Sequence, residues 1–331
     1  MFPAQRSAFS WQVRFNLNKG FPVRRIAYSS LLCSWIWAAS LAGCTVEETS
    51  GPQLEFEVKL DESLLQFCER WKASQRPDCA DFEQAAREFS DHPDLNPAIQ
   101  ISDLPARKRD IVNLLRFEGH FIPGKHSIQK ESDPVAQARV LLHYMVQASA
   151  KRLVSLEKDF PSTDSRANNL SRTERMILAS IVEKEAVSNS DYRKVASVFL
   201  NRLEKNQVLG SCPTVEYGLG YHRPFLLFKD LELQSDYNVY KRGGLPPGPV
   251  AQFSDEAYKA VLQPEQTNDI FFVYDWTTGK LHFAEQYRDH KDNAAIARAN
   301  FIARYGREVM YKRFDDLYYE DLPQSEYPKG D

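Results

Sequence analysis

Apolar and polar side chains alternate through Leu54-Glu-Phe-Glu-Val-Lys-Leu60, the period of a half-buried strand. Immediately afterwards Leu64, Leu65, Phe67, Cys68 and Trp71 recur at helical spacing, so a helix is expected over residues 62–73 and a small α/β unit with it. Residues 75–105 mix Asp, Pro and Ala with scattered apolar positions and read as short helical and loop segments. In Phe117-Glu-Gly-His-Phe-Ile-Pro-Gly-Lys-His126 turn residues bracket large apolar ones. Val135, Ala138, Leu142, Met145 and Leu153 then make residues 134–156 an amphipathic helix. Residues 161–171 are polar and read as a linker. Ser171-Arg-Thr-Glu174 fits a capping box, in which a hydroxyl and a carboxylate three residues on satisfy free N–H groups at a helix start. Helices are expected at 171–187 and 190–206, beside a mixed or antiparallel sheet that includes residues 270–274 and 280–283. No internal repeat interrupts this order, and the chain ends in an acidic, Tyr-rich tail.

The first fifty residues follow a different pattern. They carry basic residues and no acid before Glu47, and Arg24 and Arg25 precede an apolar run from Ile26 to Gly43. Charged start, apolar middle and small-residue end are the layout of an export segment. Leu41-Ala42-Gly43-Cys44 resembles a bacterial lipobox, which implies lipidation at Cys44. The alternative is an uncleaved anchor of about 18 residues, marginally long enough to span a bilayer. Either reading places the remainder outside the cytoplasm, tethered to a membrane on the periplasmic side. The expected organisation is an export segment or anchor at 1–43, a tether at 44–53, a small N-terminal domain with connecting helices at 54–165, a catalytic domain at 166–304 and the tail at 305–331.

Composition narrows the chemistry. Apolar residues at 43% and charged residues at 26% suit a globular α+β protein with a real core. A net charge of −3 argues against nucleic acid as a partner, since phosphate binding calls for a basic face. No His or Cys cluster has zinc spacing, and neither His-Glu-x-x-His nor Gly-x-Ser-x-Gly occurs, so no metal or cofactor is expected. Cys68 and Cys79 could close a short disulfide loop in an oxidising compartment, or remain two separate thiols.

The chemistry concentrates in the helix that opens at Ser171. At roughly 100° per residue Leu178, Ile181, Val182 and Glu185 share one face, and Glu183 points almost the opposite way. A carboxyl on an apolar face loses solvation when ionised, so its pKa should rise and it can hold a proton near neutral pH, the profile of a general acid. The alternative is an ion pair at the edge of the core, with Arg193 or Lys194 as partner.

Ile177-Leu-Ala-Ser-Ile-Val-Glu-Lys-Glu-Ala186, followed by Lys194-Val-Ala-Ser-Val-Phe-Leu-Asn-Arg-Leu203, resembles the signature of the endolytic murein transglycosylase family, the YceG-like proteins. Pro213-Thr-Val-Glu-Tyr217, Tyr237-Asn238-x-Tyr240, Gly244-Leu-Pro-Pro-Gly-Pro249 and His282-Phe283 with His290 follow in the family's order. Phe117-Glu-Gly-His-Phe-Ile-Pro123 is similar to its Glu-Gly-x-x-x-Pro element. The resemblance implies that Glu185 is catalytic, and that the small N-terminal unit is LysM-like and the catalytic domain holds an open groove. It further implies cleavage of the β-1,4 bond between MurNAc and GlcNAc with a 1,6-anhydro product, trimming or terminating nascent glycan strands. Peptidoglycan is then the substrate, and cell-wall synthesis proteins are candidate partners. Thr214, Tyr217, Tyr237, Asn238, Pro246 and Gly248 are the expected substrate contacts, with core packing or a stiff connection as their alternative role. His282 and His290 are expected to be structural.

The chain departs from the family at two places. Leu209-Gly210-Ser211-Cys212 stands where Leu-Gln-Ser or Thr-Asp is usual, and Gln252-Phe253-Ser254 replaces Asn-Pro-Gly. These changes bear on the walls of the groove. Two rivals stay open: an ordinary glycoside hydrolase with Glu118 or Glu216 as second carboxylate, and a wall-binding lipoprotein without turnover.

Overall fold

The computed structural model describes residues 51–72, 77–89, 95–97, 104, 106–221, 226 and 229–306. The export segment, Cys44, most of the tether and the tail from 307 onward lie outside the described residues. Among the described residues no helix is long and apolar enough to cross a membrane. The fold is α+β. Its order is β1 (Gln53–Val58), α1 (Leu64–Lys72), α2 (Cys79–Glu88), α3 (Ala106–Arg109), a 3-10 turn (Leu114–Phe117), β2 (Gly124–Gln129) and α4 (Pro134–Asp159). There follow α5 (Ser165–Asn168), α6 (Arg172–Glu185), α7 (Tyr192–Glu204), α8 (Cys212–Leu219), a second 3-10 turn (Asp230–Glu232), α9 (Asp255–Leu262), β3 (Phe271–Asp275), β4 (Lys280–Ala284) and α10 (Tyr287–Tyr305).

The alternation around Leu54 builds β1, whose inward Leu54, Phe56 and Val58 are buried. Its antiparallel partner β2 was not legible, because Gly124-Lys-His-Ser-Ile-Gln buries a single side chain, Ile128, and so shows no clean period. Across the pair Phe56 stacks on His126 at 5.3 Å and meets the edge of Trp71 on α1 at 5.4 Å. Cys68 and Cys79 are joined, Cα to Cα 5.2 Å, which ties α1 to the first residue of α2. The stretch read as a linker holds the short helix α5, capped by Asp164, whose carboxylate accepts from the Arg166 N–H at 2.9 Å.

Helix α4 starts at the Asp133 cap with Pro134 in its first turn, and it runs a few residues past the expected end. It joins the front and back halves of the chain. Arg152 pairs with Asp255 at 2.5 Å, and Glu157 takes Arg172 at 2.7 Å, Arg175 at 3.2 Å and the Tyr258 hydroxyl at 2.8 Å. One hydrophobic core accordingly runs from Leu54 to Leu262 across residue 165.

Helix α6 lies in the middle of that core. Its capping box is present, with Ser171 N–H donating to Glu174 at 2.7 Å and Glu174 N–H to the Ser171 hydroxyl at 3.3 Å. Every residue from Met176 to Glu183 is buried, so the helix is enclosed on all sides. Glu183, expected on the outer face, instead accepts from the Tyr192 hydroxyl at 2.5 Å and from the N–H and hydroxyl of Ser254 at 2.8 and 2.6 Å. Ser254 also caps α9. Among the described residues the expected sheet of the catalytic half is one antiparallel hairpin, β3 with β4, backed by α10.

Candidate active site

Glu185 is the last residue of α6, and the next residue, Ala186, is already extended. The chain therefore presents this carboxyl at the floor of an open cavity of about 1100 Å³. It is half-buried. The Ser211 hydroxyl donates to Oε1 at 2.7 Å, and the Cys212 N–H also points at the carboxylate. Both come from the start of α8, whose positive end favours negative charge. Burial wins nonetheless. Desolvation, aided by the nearby Glu216 carboxylate, pushes Glu185 up to about 7 against the opposing effects of Ser211, Arg202 and the Cys212 N–H. Neither alternative partner is engaged with Glu185: Arg193 donates to the Gln263 carbonyl and Lys194 lies 3.9 Å from Glu265.

The altered segment before α8 turns out to hold the acid. Gly210 has φ +59°, a left-handed conformation that suits glycine, and its N–H reaches the Val239 carbonyl at 3.0 Å. Ser211 is buried at the helix start, and its hydroxyl serves Glu185 rather than capping α8. Cys212 lines the cavity with its thiol 3.2 Å from the Tyr240 hydroxyl, and burial pushes that thiol up to about 11. The signal for Ser211 was present in the sequence, since a serine two residues before a proline is a common helix opening.

Substrate contact was expected of six residues that the structure encloses. Thr214 is fully buried and donates to the Ser211 carbonyl at 2.7 Å. Tyr217 is a buried residue of α8 with its hydroxyl donating to Glu118 at 3.0 Å. Tyr237 is fully buried, 4.5 Å ring to ring from Tyr217. Asn238 is fully buried and donates to the Leu231 and Leu233 carbonyls, each at 2.9 Å. Pro246 and Gly248 are buried, and a Cβ on Gly248 would come 3.0 Å from the Tyr237 hydroxyl. None of the six lines the cavity around Glu185. The reasons differ: Thr214 and Tyr217 turn inward from α8, whereas residues 230–250 form little regular structure and the Asn238 amide is consumed in satisfying that loop's own backbone.

Other residues take that place. Lys184, Glu216 and Tyr240 surround Glu185, the β1–α1 loop contributes Lys59 to Glu62, and the hairpin contributes Phe272, Tyr274 and Trp276. Glu216 is a further carboxylate of the cavity, with Asp61 and Glu62 of the β1–α1 loop. Glu118 is not one, being wholly buried and held by the Leu64 N–H at 3.0 Å, the Tyr217 hydroxyl and the Gln252 amide at 2.6 Å. Gln252, at the second departure, thus fastens to Glu118. His290 stacks on Phe271 at 5.1 Å, and His282 lies 3.8 Å from Asp275. Among the described residues no group of His, Cys, Asp and Glu has the arrangement of a metal site.

The model of the YceG-like family matches residues 48–296. The chain is 34% identical over 174 residues to the endolytic murein transglycosylase of Bacillus subtilis, covering 53% of this chain and 46% of that protein. It is 32% identical over 209 residues to the protein of the same name in Streptococcus pneumoniae serotype 2, covering 62% and 35%. The aligned region thus spans less than half the length of either relative. A crystal structure of a YceG-like protein from Listeria monocytogenes superposes with a TM-score of 0.55 at 27% identity, over 72% of this chain and 74% of that one.

Proposed function

The chain belongs to the YceG-like family, and from that membership we propose that it is an endolytic lytic transglycosylase of peptidoglycan with Glu185 as acid and base. The observation that carries this reading is the Glu185 carboxyl, half-buried in an open cavity and pushed up to about 7 by desolvation. Protonated, it donates to the departing GlcNAc oxygen of the β-1,4 bond. Positioned proton transfer of this kind typically contributes on the order of 10²–10⁴-fold. The resulting carboxylate, now served by Ser211 and the Cys212 N–H, takes the proton from the muramyl C6 hydroxyl, whose oxygen closes the 1,6-anhydro ring. Shortening or terminating nascent strands is the corresponding cellular role.

Glu216 supports a second reading. As another carboxylate in the same cavity it could activate water or act as nucleophile, making the protein a hydrolase. Product analysis separates the two. Digestion of purified sacculi in ¹⁸O-water is expected to give 1,6-anhydro ends without label, about 20 mass units below ends hydrolysed by that water, because the attack is intramolecular. Labelled reducing ends would establish hydrolysis instead.

Peptidoglycan lies outside the cytoplasm, which fits the export segment and the joined Cys68 and Cys79. We read Cys44 as the lipidated anchor residue. Mass spectrometry of membrane-extracted protein should find a mature chain starting at acylated Cys44, and an intact Met1 terminus would refute lipidation. The layer of β1, α1, α2 and β2 is the part we read as LysM-like, and residues 166–304 are the part we read as carrying the chemistry.

A further inference from the structure

We propose that the glycan is gripped between two walls contributed by distant parts of the chain, an aromatic one led by Trp276 and a polar one led by Asp61, and that these two residues determine its affinity and placement over Glu185. This rests on the Glu185 reading above and goes beyond it in assigning the contacts. Both residues line the cavity that holds Glu185.

Trp276 opens the turn between β3 and β4. It is half-buried, and Tyr274 meets it edge to face at 5.0 Å. The turn beneath it is fixed from inside: buried Asp275 accepts from the Thr277 N–H at 2.8 Å, the Thr278 N–H at 3.3 Å and the Asn300 amide of α10 at 2.8 Å. Gly279 closes the turn at φ +66°. A large ring held this firmly at the edge of a polar cavity loses little freedom on binding, and its apolar face suits the C–H face of a pyranose.

Asp61 has φ 67°, a left-handed backbone that a non-glycine residue adopts at a cost. The surroundings hold it there. Its N–H reaches the Gln252 carbonyl at 3.3 Å, the Gln252 N–H returns to the Glu62 carbonyl at 2.9 Å, and Glu62 pairs with Arg70 at 2.6 Å. Gln252 is in turn fastened to buried Glu118. The Asp61 carboxylate lies 2.9 Å from Lys184, the residue immediately before Glu185, and remains 49% exposed. The strain therefore places a pair of opposite charge, open to solvent, beside the acid. Carboxylate oxygens accept sugar hydroxyls and an ammonium donates to hydroxyl or acetamido oxygens, so this pair suits the polar edge of a ring whose face rests on Trp276.

The test uses the full chain. Asp61→Gly removes the carboxylate but retains the left-handed turn, so its Tm should equal or exceed that of the wild type. Its KM on solubilised glycan strands should rise about fivefold, the scale of one ordinary hydrogen bond lost at a solvent-exposed site, with kcat little changed. Trp276→Ala should raise KM roughly tenfold and Trp276→Phe should recover most of it. The same ratios should appear in calorimetric glycan affinity measured in a Glu185→Gln background, where turnover does not intervene. Unchanged KM and affinity in Asp61→Gly and Trp276→Ala, with an active wild type, would overturn this assignment alone. A wild type that neither cleaves nor binds glycan would overturn the Glu185 reading and this one together.

Discussion

At Glu185 burial and the start of α8 pull in opposite directions, and the balance leaves a carboxyl that titrates near 7 rather than near 4.5. The protonated form begins the proposed reaction, so kcat/KM should fall as pH rises through about 7, a limb that a pH–rate profile reads directly. Stability follows the same sign. The folded pKa lies above the unfolded one, so the contribution is complete below about 4.5 and is lost as pH rises toward 7. Relative to Glu185→Gln, the wild type should lose up to about 3 kcal/mol between pH 4 and pH 8 in urea titrations. A constant difference between the two proteins would mean that this carboxyl is not perturbed. Asn238 makes the opposite case. Its amide satisfies two carbonyls inside the protein, so Asn238→Ala should cost about 2–3 kcal/mol of stability. Activity per folded molecule should change much less. Glu185 stood out in the sequence because a carboxyl sharing a helix face with Leu178, Ile181 and Val182 conflicts with its surroundings, while its role as acid came from the family motif. The enclosure of Asn238 and Tyr237 was not legible, because an amide bound to its own loop and an amide waiting for a ligand have the same sequence.

Elements differ in how far their own residues specify them. Helices α4 and α6 carry their signals locally in caps and apolar spacing, α7 in apolar spacing alone, and all three occur within a few residues of the expected limits. Strand β2 depends on β1, which lies some seventy positions earlier, and its own residues do not announce it. The second wall of the cavity was hidden for the same reason: nothing near residue 61 reveals that it meets Lys184. Glu118 is the junction of these distant pieces, joining the start of α1, Tyr217 of α8 and Gln252. Glu118→Ala would leave three buried donors without this acceptor and remove a carboxylate near Lys108. The expected loss is about 3–5 kcal/mol by urea denaturation. A loss below about 1 kcal/mol would show that the junction is dispensable. Glu118→Gln should cost less, because its amide oxygen can still accept.

On the scale of the whole molecule, a core that continues across residue 165 holds β1, α1 and the hairpin around one cavity. That arrangement explains why the β1–α1 loop, which read as part of a separate small unit, ends up beside the catalytic candidate. It also places Glu185 on rigid supports, the C-terminus of a buried helix and the start of another, which would limit the reorganisation needed during the proposed proton transfer. The departures from the family pattern fall within this frame. Ser211 contacts the acid and Gln252 braces the loop, so both altered segments are occupied with holding the site together.

The central claim is that one carboxyl, Glu185, performs both proton transfers. The measurement that tests it most directly is digestion of purified sacculi by the wild type and by Glu185→Gln, with released ends quantified by mass spectrometry and glycan affinity measured on the same preparations. Glutamine retains the size and can still accept from Ser211, but it can neither supply nor take the proton. The account predicts 1,6-anhydro ends from the wild type, and from Glu185→Gln a fold and a glycan affinity close to wild type with no released ends. A Glu185→Gln protein that still releases them would contradict it.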